Sequence, residues 1–219
     1  MERKLMITED GSHTMFVNGL DEPYHSTHGA LQESSHIFIK HGLHTIERNS
    51  VRILELGFGT GLNALLTFIE SILLDLDIYY HTVEKYPLAD SEYKQLNFEK
   101  LVQQSPKGLL HQLHSCPWGE SVQVSERFTL YKEKADFRSM NPPSNINLVY
   151  FDAFSPDKQP DLWTSAIFGC IAQHTDPGAI LVTYSSKGLV RRALTSSGFE
   201  VSKVAGPPGK REMIRAIKR

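Results

Sequence analysis

Cysteine is scarce in this chain. Only Cys116 and Cys170 occur in 219 residues, and they form no C-x-x-C pair. A disulfide framework is not expected, and a reducing, cytoplasmic setting fits. No apolar run is long enough to span a bilayer, no signal peptide opens the chain, and no low-complexity tract interrupts it. Excess charge is also missing: 23 Lys and Arg stand against 25 Asp and Glu, a net charge of -2. A polycation that coats nucleic acid is thereby excluded, and phosphate contacts would need a local patch. Metal-ligand sets are incomplete. His25-x-x-His28, His41-x-x-His44 and His111-x-x-His114 have a spacing that can share a helix face, but no nearby Cys or acid completes a shell, so no metal is expected.

What the chain does contain is organised around Val51 to Asn63. Val51 to Leu56 is a short apolar run with β-branched residues, which predicts a buried strand. Gly57, Gly59 and Gly61 follow, then the helix-forming segment Leu62 to Phe68. Strand, glycine turn and helix form the first unit of a doubly wound sheet, with a ligand at the carboxyl end of the strand. A dinucleotide fingerprint starting at Gly57 would need glycine at Leu62. The actual pattern, Glu55-x-Gly57-x-Gly59-x-Gly61, resembles motif I of class I S-adenosylmethionine (AdoMet) methyltransferases.

The flanking segments fit the same class. Asp10-Gly11 between two alternating runs predicts a β-hairpin over residues 3–18. Residues 21–30 read as a loop able to cover a ligand, and Leu31 to His41 as a helix stopped by Gly42. Residues 1–45 are thus expected to form an N-terminal extension and 46–219 the main domain. Asp77 to Val83 predicts a second strand ending at Glu84, whose carboxylate sits about 20 residues beyond the glycines, where a ribose-binding acid is expected. Helices are expected over 89–104 and 157–173, a strand over 128–135, a turn at 176–178 and a strand over 179–184. A helix over 186–197 and a closing hairpin, 199–204 with 213–217, complete the chain. Asp136 follows the third strand, where it could accept a hydrogen bond from the adenine amine or serve as an ordinary loop acid.

Ile146 to Phe151 is a buried strand that delivers Asp152-Ala153-Phe154-Ser155-Pro156 to its carboxyl end. A carboxylate beside an aromatic face and a rigid proline can position an amine for methyl transfer. Asn141-Pro142-Pro143 imitates an amino-methyltransferase motif, but lacks the aromatic and precedes the strand. Beyond Tyr184, nine basic residues face only Glu200 and Glu212. They would serve phosphate contacts or form a solvated face.

Several separated runs together resemble the methyltransferase part of the bacterial tRNA 5-methylaminomethyl-2-thiouridine biosynthesis enzymes. They are Asp21 to Ser26, Gly29 to Ile39, Leu56 to Asn63, Asp152 to Pro156, Thr183 to Leu194 and Gly209 to Met213. The chain departs from the family pattern at Gln32 and at Ser34-Ser35. The resemblance implies a Rossmann-like, seven-stranded class I fold and AdoMet as cofactor, held by Glu33, Glu55, Gly57, Gly59, Gly61, Asn63, Glu84, Asp136 and Asp152. It implies N-methylation of the 5-aminomethyl group of (2-thio)uridine at the tRNA wobble position. Asp152 would be the catalytic group, with Tyr24, Phe154, Tyr184, Lys210 and Arg211 binding substrate. The family's fused FAD-dependent oxidase domain has no counterpart here, so no FAD is expected, and separate enzymes would supply the aminomethyl group. A polyamine-type transferase using AdoMet or decarboxylated AdoMet, and a non-catalytic RNA- or nucleotide-binding module, are the other readings.

Overall fold

The computed structural model describes residues 1–219. The chain opens with β1 (Arg3–Ile7), β2 (His13–Val17) and β3 (Glu22–Pro23), which pair as a small antiparallel sheet. The expected hairpin is present, and the expected loop at 21–30 gives it a short third strand.

Helix α1 (Ala30–Ser34) follows and passes into a wider π-helical turn over Ser35–Lys40. The sequence predicts one regular helix here. Ile37, Phe38 and Ile39 are all buried, and three consecutive side chains cannot share one face at 3.6 residues per turn. The wider turn, with the His41 N–H donating to His36 O at 3.2 Å, accommodates them.

Next come β4 (Ser50–Leu56), α2 (Leu62–Leu73), β5 (Asp77–Val83), α3 (Asp90–Tyr93), α4 (Phe98–Leu101) and α5 (Leu109–Ser115). The single helix expected over 89–104 is therefore two short ones. Asn97, at the break, is committed elsewhere: its Oδ1 accepts the His13 N–H at 2.8 Å and its Nδ2 donates to Gly11 O at 2.9 Å. Both bonds tie the segment to the N-terminal hairpin.

The remaining elements are β6 (Ser121–Ser125), β7 (Phe128–Glu133), β8 (Ile146–Phe151), α6 (Ser165–His174), β9 (Thr175–Thr183), α7 (Gly188–Ser196), β10 (Phe199–Ala205) and β11 (Glu212–Lys218). The helix expected from 157 starts late, because the chain first turns over Pro160–Leu162 to bury Trp163, whose indole donates to Phe154 O at 2.8 Å. The turn expected at 176–178 lies within β9. Only Ile180 to Thr183 pair with β11, so the missing N–H of Pro177 costs no ladder bond on that side.

The main sheet has eight strands in the order β10-β11-β9-β8-β4-β5-β7-β6. Strands β9, β8, β4, β5 and β7 are parallel; β11, β10 and β6 run antiparallel to their neighbours. The seven strands implied by the resemblance gain an edge strand, β6, joined to β7 by a tight turn. Core clusters cover both faces: α2, α5 and the Ser35–Lys40 turn contribute to one, α6 and α7 to the other. Strand β8 is buried along its whole length, as its uninterrupted apolar run requires. Successive strands leave β4 in opposite directions, to β5 on one side and β8 on the other. The crevice at that reversal opens over the carboxyl ends of the strands. No helix is long and apolar enough to cross a membrane.

Candidate active site

The carboxyl ends of β4, β5, β8 and β9 border a cleft of about 670 Å³. Its floor is the glycine turn between β4 and α2. The Gly57 N–H donates to Val83 O and the Asp152 N–H to Leu56 O, both at 3.0 Å. These bonds continue the sheet ladder past the strand ends and fix three strand exits against one another. Gly57 has φ +99° and Gly59 φ +49°. A Cβ on Gly57 would stand 2.6 Å from the Asp152 carbonyl oxygen, and one on Gly59 2.9 Å from the Tyr24 ring. Both positions therefore need glycine for conformation and for space.

Three carboxylates line the depth of the cleft. Asp152 Oδ2 accepts from Asn63 Nδ2 at 2.9 Å. Burial, and then the nearby charge of Glu33, push the Asp152 carboxyl up to about 7. Glu33, at the start of α1, accepts the Ser26 N–H at 2.7 Å through Oε2 and the Lys210 ammonium through Oε1. At the end of β5, Glu84 Oε2 accepts the Gly59 N–H at 3.2 Å and Oε1 the Tyr86 N–H at 2.7 Å. Burial raises its carboxyl above the ordinary value.

The cover is aromatic. The Tyr24 and Phe154 rings meet edge to face at 5.0 Å. Tyr184 donates its hydroxyl to Ala153 O at 2.8 Å, and its ring face carries the Lys210 ammonium at 4.1 Å. That face is thus closed to a base, leaving Phe154 and Tyr24 as the freer stacking surfaces. Residues not singled out in the sequence hold this cover. Arg3 Nε donates to the Tyr24 hydroxyl at 3.0 Å and the same guanidinium pairs with Glu92. Glu22 accepts both the Ser155 N–H at 3.0 Å and the Ser155 hydroxyl at 2.8 Å. The N-terminal sheet therefore clamps the Asp-x-Phe-x-Pro loop. Glu22 falls within one of the runs that carry the family resemblance, but its partner lies 133 positions away and no local pattern reveals it.

Four expected contacts need correction. Glu55 does not line the cleft; it is fully buried under the glycine turn, beside Thr82, Tyr80 and Asn63. Gly61 faces His114 and Phe58 rather than the cleft. Asp136 lines the cleft, but its carboxylate is taken by Arg138 at 2.7 Å and Lys85 at 3.0 Å. The Arg138 guanidinium holds its pKa well below the ordinary range, and little acceptor capacity is left for an adenine amine. Lys210 points into the cleft, whereas Arg211 is exposed outside it. The histidine pairs have other partners: His25 lies between Thr14 and Thr60, His44 pairs with Glu70, and His114 bonds Thr60 O. No group of three or more His, Cys, Asp or Glu converges anywhere.

Burial pushes the Glu55 carboxyl from its ordinary value of 4.5 up to about 8. The folded state then binds more protons than the unfolded chain between those values, so stability falls as pH rises through that window, by at most about 1.4 kcal/mol per pH unit. Glu55→Gln keeps the shape and abolishes the titration. The variant is expected to melt progressively higher than the wild type as pH rises from 5 to 8. Parallel melting curves would contradict the raised pKa of this buried carboxyl.

Residues 92–219 match the model of a family described as S-adenosyl-L-methionine-dependent methyltransferase. The chain belongs to that family. The matched stretch includes Asp152, Tyr184 and Lys210. The crystal structure of MnmC2 from Aquifex aeolicus superposes over the whole chain, glycine turn included, with a TM-score of 0.81, 29% identity and 70% of that protein covered. Curated relatives are the tRNA 5-methylaminomethyl-2-thiouridine biosynthesis bifunctional proteins MnmC. Those of Hydrogenovibrio crunogenus and Marinomonas sp. are 32% and 30% identical, each over 94% of this chain and 32% of its own length. The chain thus spans about a third of the length of these relatives.

The site suits the AdoMet of this family. Gly57 and Gly59 leave the floor of the cleft without side chains, and the carboxylates of Glu33, Glu84 and Asp152 favour a cationic guest. Glu84, just after β5, lines the cleft, and Asn63, Glu33 and Asp152 lie near the turn of the sheet order. The residues available for the cofactor are therefore Gly57, Gly59, Asn63, Glu33, Glu84 and Asp152.

Proposed function

We propose that this methyltransferase N-methylates the 5-aminomethyl group of (2-thio)uridine at the wobble position of tRNA, giving the 5-methylaminomethyl base. The observation that carries the reading is Asp152, a partly buried carboxylate presented between the glycine turn and the Tyr24–Phe154 aromatic pair. The names of the curated relatives supply the substrate.

Bound AdoMet supplies a methyl group on a cationic sulfur. The chain must hold a neutral amine in line with it. Positioning of this kind can contribute about 7–11 kcal/mol in favourable cases. Asp152, kept in place by Asn63, accepts a hydrogen bond from the amine and, with a pKa near 7, can take its proton at neutral pH. Phe154 and Tyr24 offer ring faces to the pyrimidine, and a wobble base is reachable without opening a duplex. Exposed Arg191, Arg192 and Arg211 are available to anticodon-stem phosphates. The reaction takes place in the cytoplasm.

The test is transfer of label from AdoMet to tRNA bearing 5-aminomethyluridine, with polyamines in parallel. Labelled tRNA alone supports the proposal. Labelled polyamine would favour a small-amine transferase, and AdoMet binding without turnover on either would favour a binding module.

A further inference from the structure

Lys210 lies where a phosphate contact would not. It sits on the turn between β10 and β11, and that turn is pinned from two sides. A Cβ on Gly209, at φ +82°, would collide with the His28 ring. His36 Nε2 and Ala205 O, at the turn's base, are 2.8 Å apart. The turn's own bonds, Lys210 N–H to Pro207 O at 2.9 Å and Gly206 N–H to Arg211 O at 3.2 Å, fix its shape. The result is a half-buried ammonium directed into the cleft, on Glu33 Oε1 and over the Tyr184 ring.

This placement answers a chemical problem. An alkyl amine is largely an unreactive ammonium at neutral pH, with a pKa near that of lysine, about 10.4. Glu33 and Asp152 both face the cleft, and two carboxylates would hold it charged. We propose that Lys210 keeps the substrate amine neutral, cancelling the Glu33 charge and adding a cation beside the nitrogen, rather than binding a phosphate. This rests on the function proposed above.

The step balances. The ammonium passes one proton to the Asp152 carboxylate. The nitrogen lone pair then forms the N–C bond as the methyl C–S bond breaks, leaving its electron pair on sulfur. The product leaves as the methylated ammonium, and Asp152 returns the proton it took to solvent, which restores the carboxylate. Charged or titratable groups facing Lys210 come from four directions: Glu33 on α1, Asp152 after β8, Tyr184 after β9, and His25 and His28 from the loop before α1. Burial depresses His25 to about 4, so it is neutral throughout the working range. Asp152 and the amine are then the groups whose titration Lys210 governs. Loss of the cation raises the pKa of both.

The pH profile of kcat/KM on tRNA bearing 5-aminomethyluridine tests this in wild type, Lys210→Met and Lys210→Arg, with AdoMet affinity as the readout of folding. The acid limb of Lys210→Met is expected to move up by about one pH unit or more. It should lose roughly tenfold at pH 7 and recover towards pH 9. Lys210→Arg should keep the wild-type limb. Should Lys210→Met misfold, Lys210→Gln serves in its place. An unmoved limb, with a raised KM for tRNA and weaker salt dependence, would make Lys210 a phosphate contact and overturn the inference. Wild-type protein inactive on this tRNA would remove the functional reading itself, and this inference with it.

Discussion

Asp152→Ala is expected to lower kcat by roughly 10²- to 10⁴-fold, the range of a positioned proton acceptor, while AdoMet still binds. The side chain is bonded to Asn63 alone, so truncation leaves the glycine turn with its backbone bonds intact. Asp152→Asn separates the two contributions. It retains a polar group able to orient the amine but cannot take a proton. The wild-type rate should rise with pH through about 7 as the Asp152 carboxyl ionises, because only the carboxylate accepts a proton. The Asn variant should lose that dependence and turn over slowly, recovering at high pH where the amine arrives neutral. Titration calorimetry with AdoMet and single-turnover rates check each statement. Near-normal turnover by the alanine variant would remove the role assigned to this residue.

Gly57→Ala is expected to damage fold and site together. The added carbon would meet a backbone oxygen, that of Asp152, at 2.6 Å, and the φ of +99° is one that alanine resists. Overpacking against backbone costs about 1–3 kcal/mol, and the strained dihedral adds about 1 kcal/mol or more. Because the obstructing atom belongs to the catalytic residue, relief must come by moving Asp152 away from the glycine turn. Melting temperature, AdoMet affinity and turnover should all fall together. Gly169→Ala is the control, since nothing lies within 4 Å of its added carbon and α6 gains a better helix former. A Gly57 variant that melts and binds like wild type would contradict the tight packing of strand exits described here.

The parts of the fold legible in the sequence were those whose side chains have one environment. Strands β4, β5 and β8 are buried over most of their length, and runs such as Ile146 to Phe151 declare this directly. Positions at strand ends then followed: the glycine turn, Glu84 and Asp152 all fall at the cleft. Tertiary commitments misled the local reading elsewhere. Asn97 breaks a helical pattern because its amide serves the hairpin. The polar alternation of Ser121 to Ser125 gave no apolar run to mark an edge strand.

Within the site, residue type was easier to read than direction. Glu55 has the composition of a cofactor ligand, yet it faces the buried layer beside the hydroxyls of Tyr80 and Thr82. Lys210 and Arg211 are adjacent in a basic stretch, and only the packing of Gly209 on His28 sends one inward and the other to solvent. Asp136 and Arg138 form a local pair that their spacing of two could have revealed.

The contact between Asp152 and the substrate nitrogen is the most direct test of the account. A crystal of the protein with the demethylated cofactor product and an anticodon stem-loop bearing 5-aminomethyluridine would display it. The account predicts an Asp152 carboxylate oxygen about 2.6–3.2 Å from the nitrogen, with the nitrogen lone pair facing the cofactor sulfur. A base seated beyond reach of Asp152, or an amine held by another group, would contradict it.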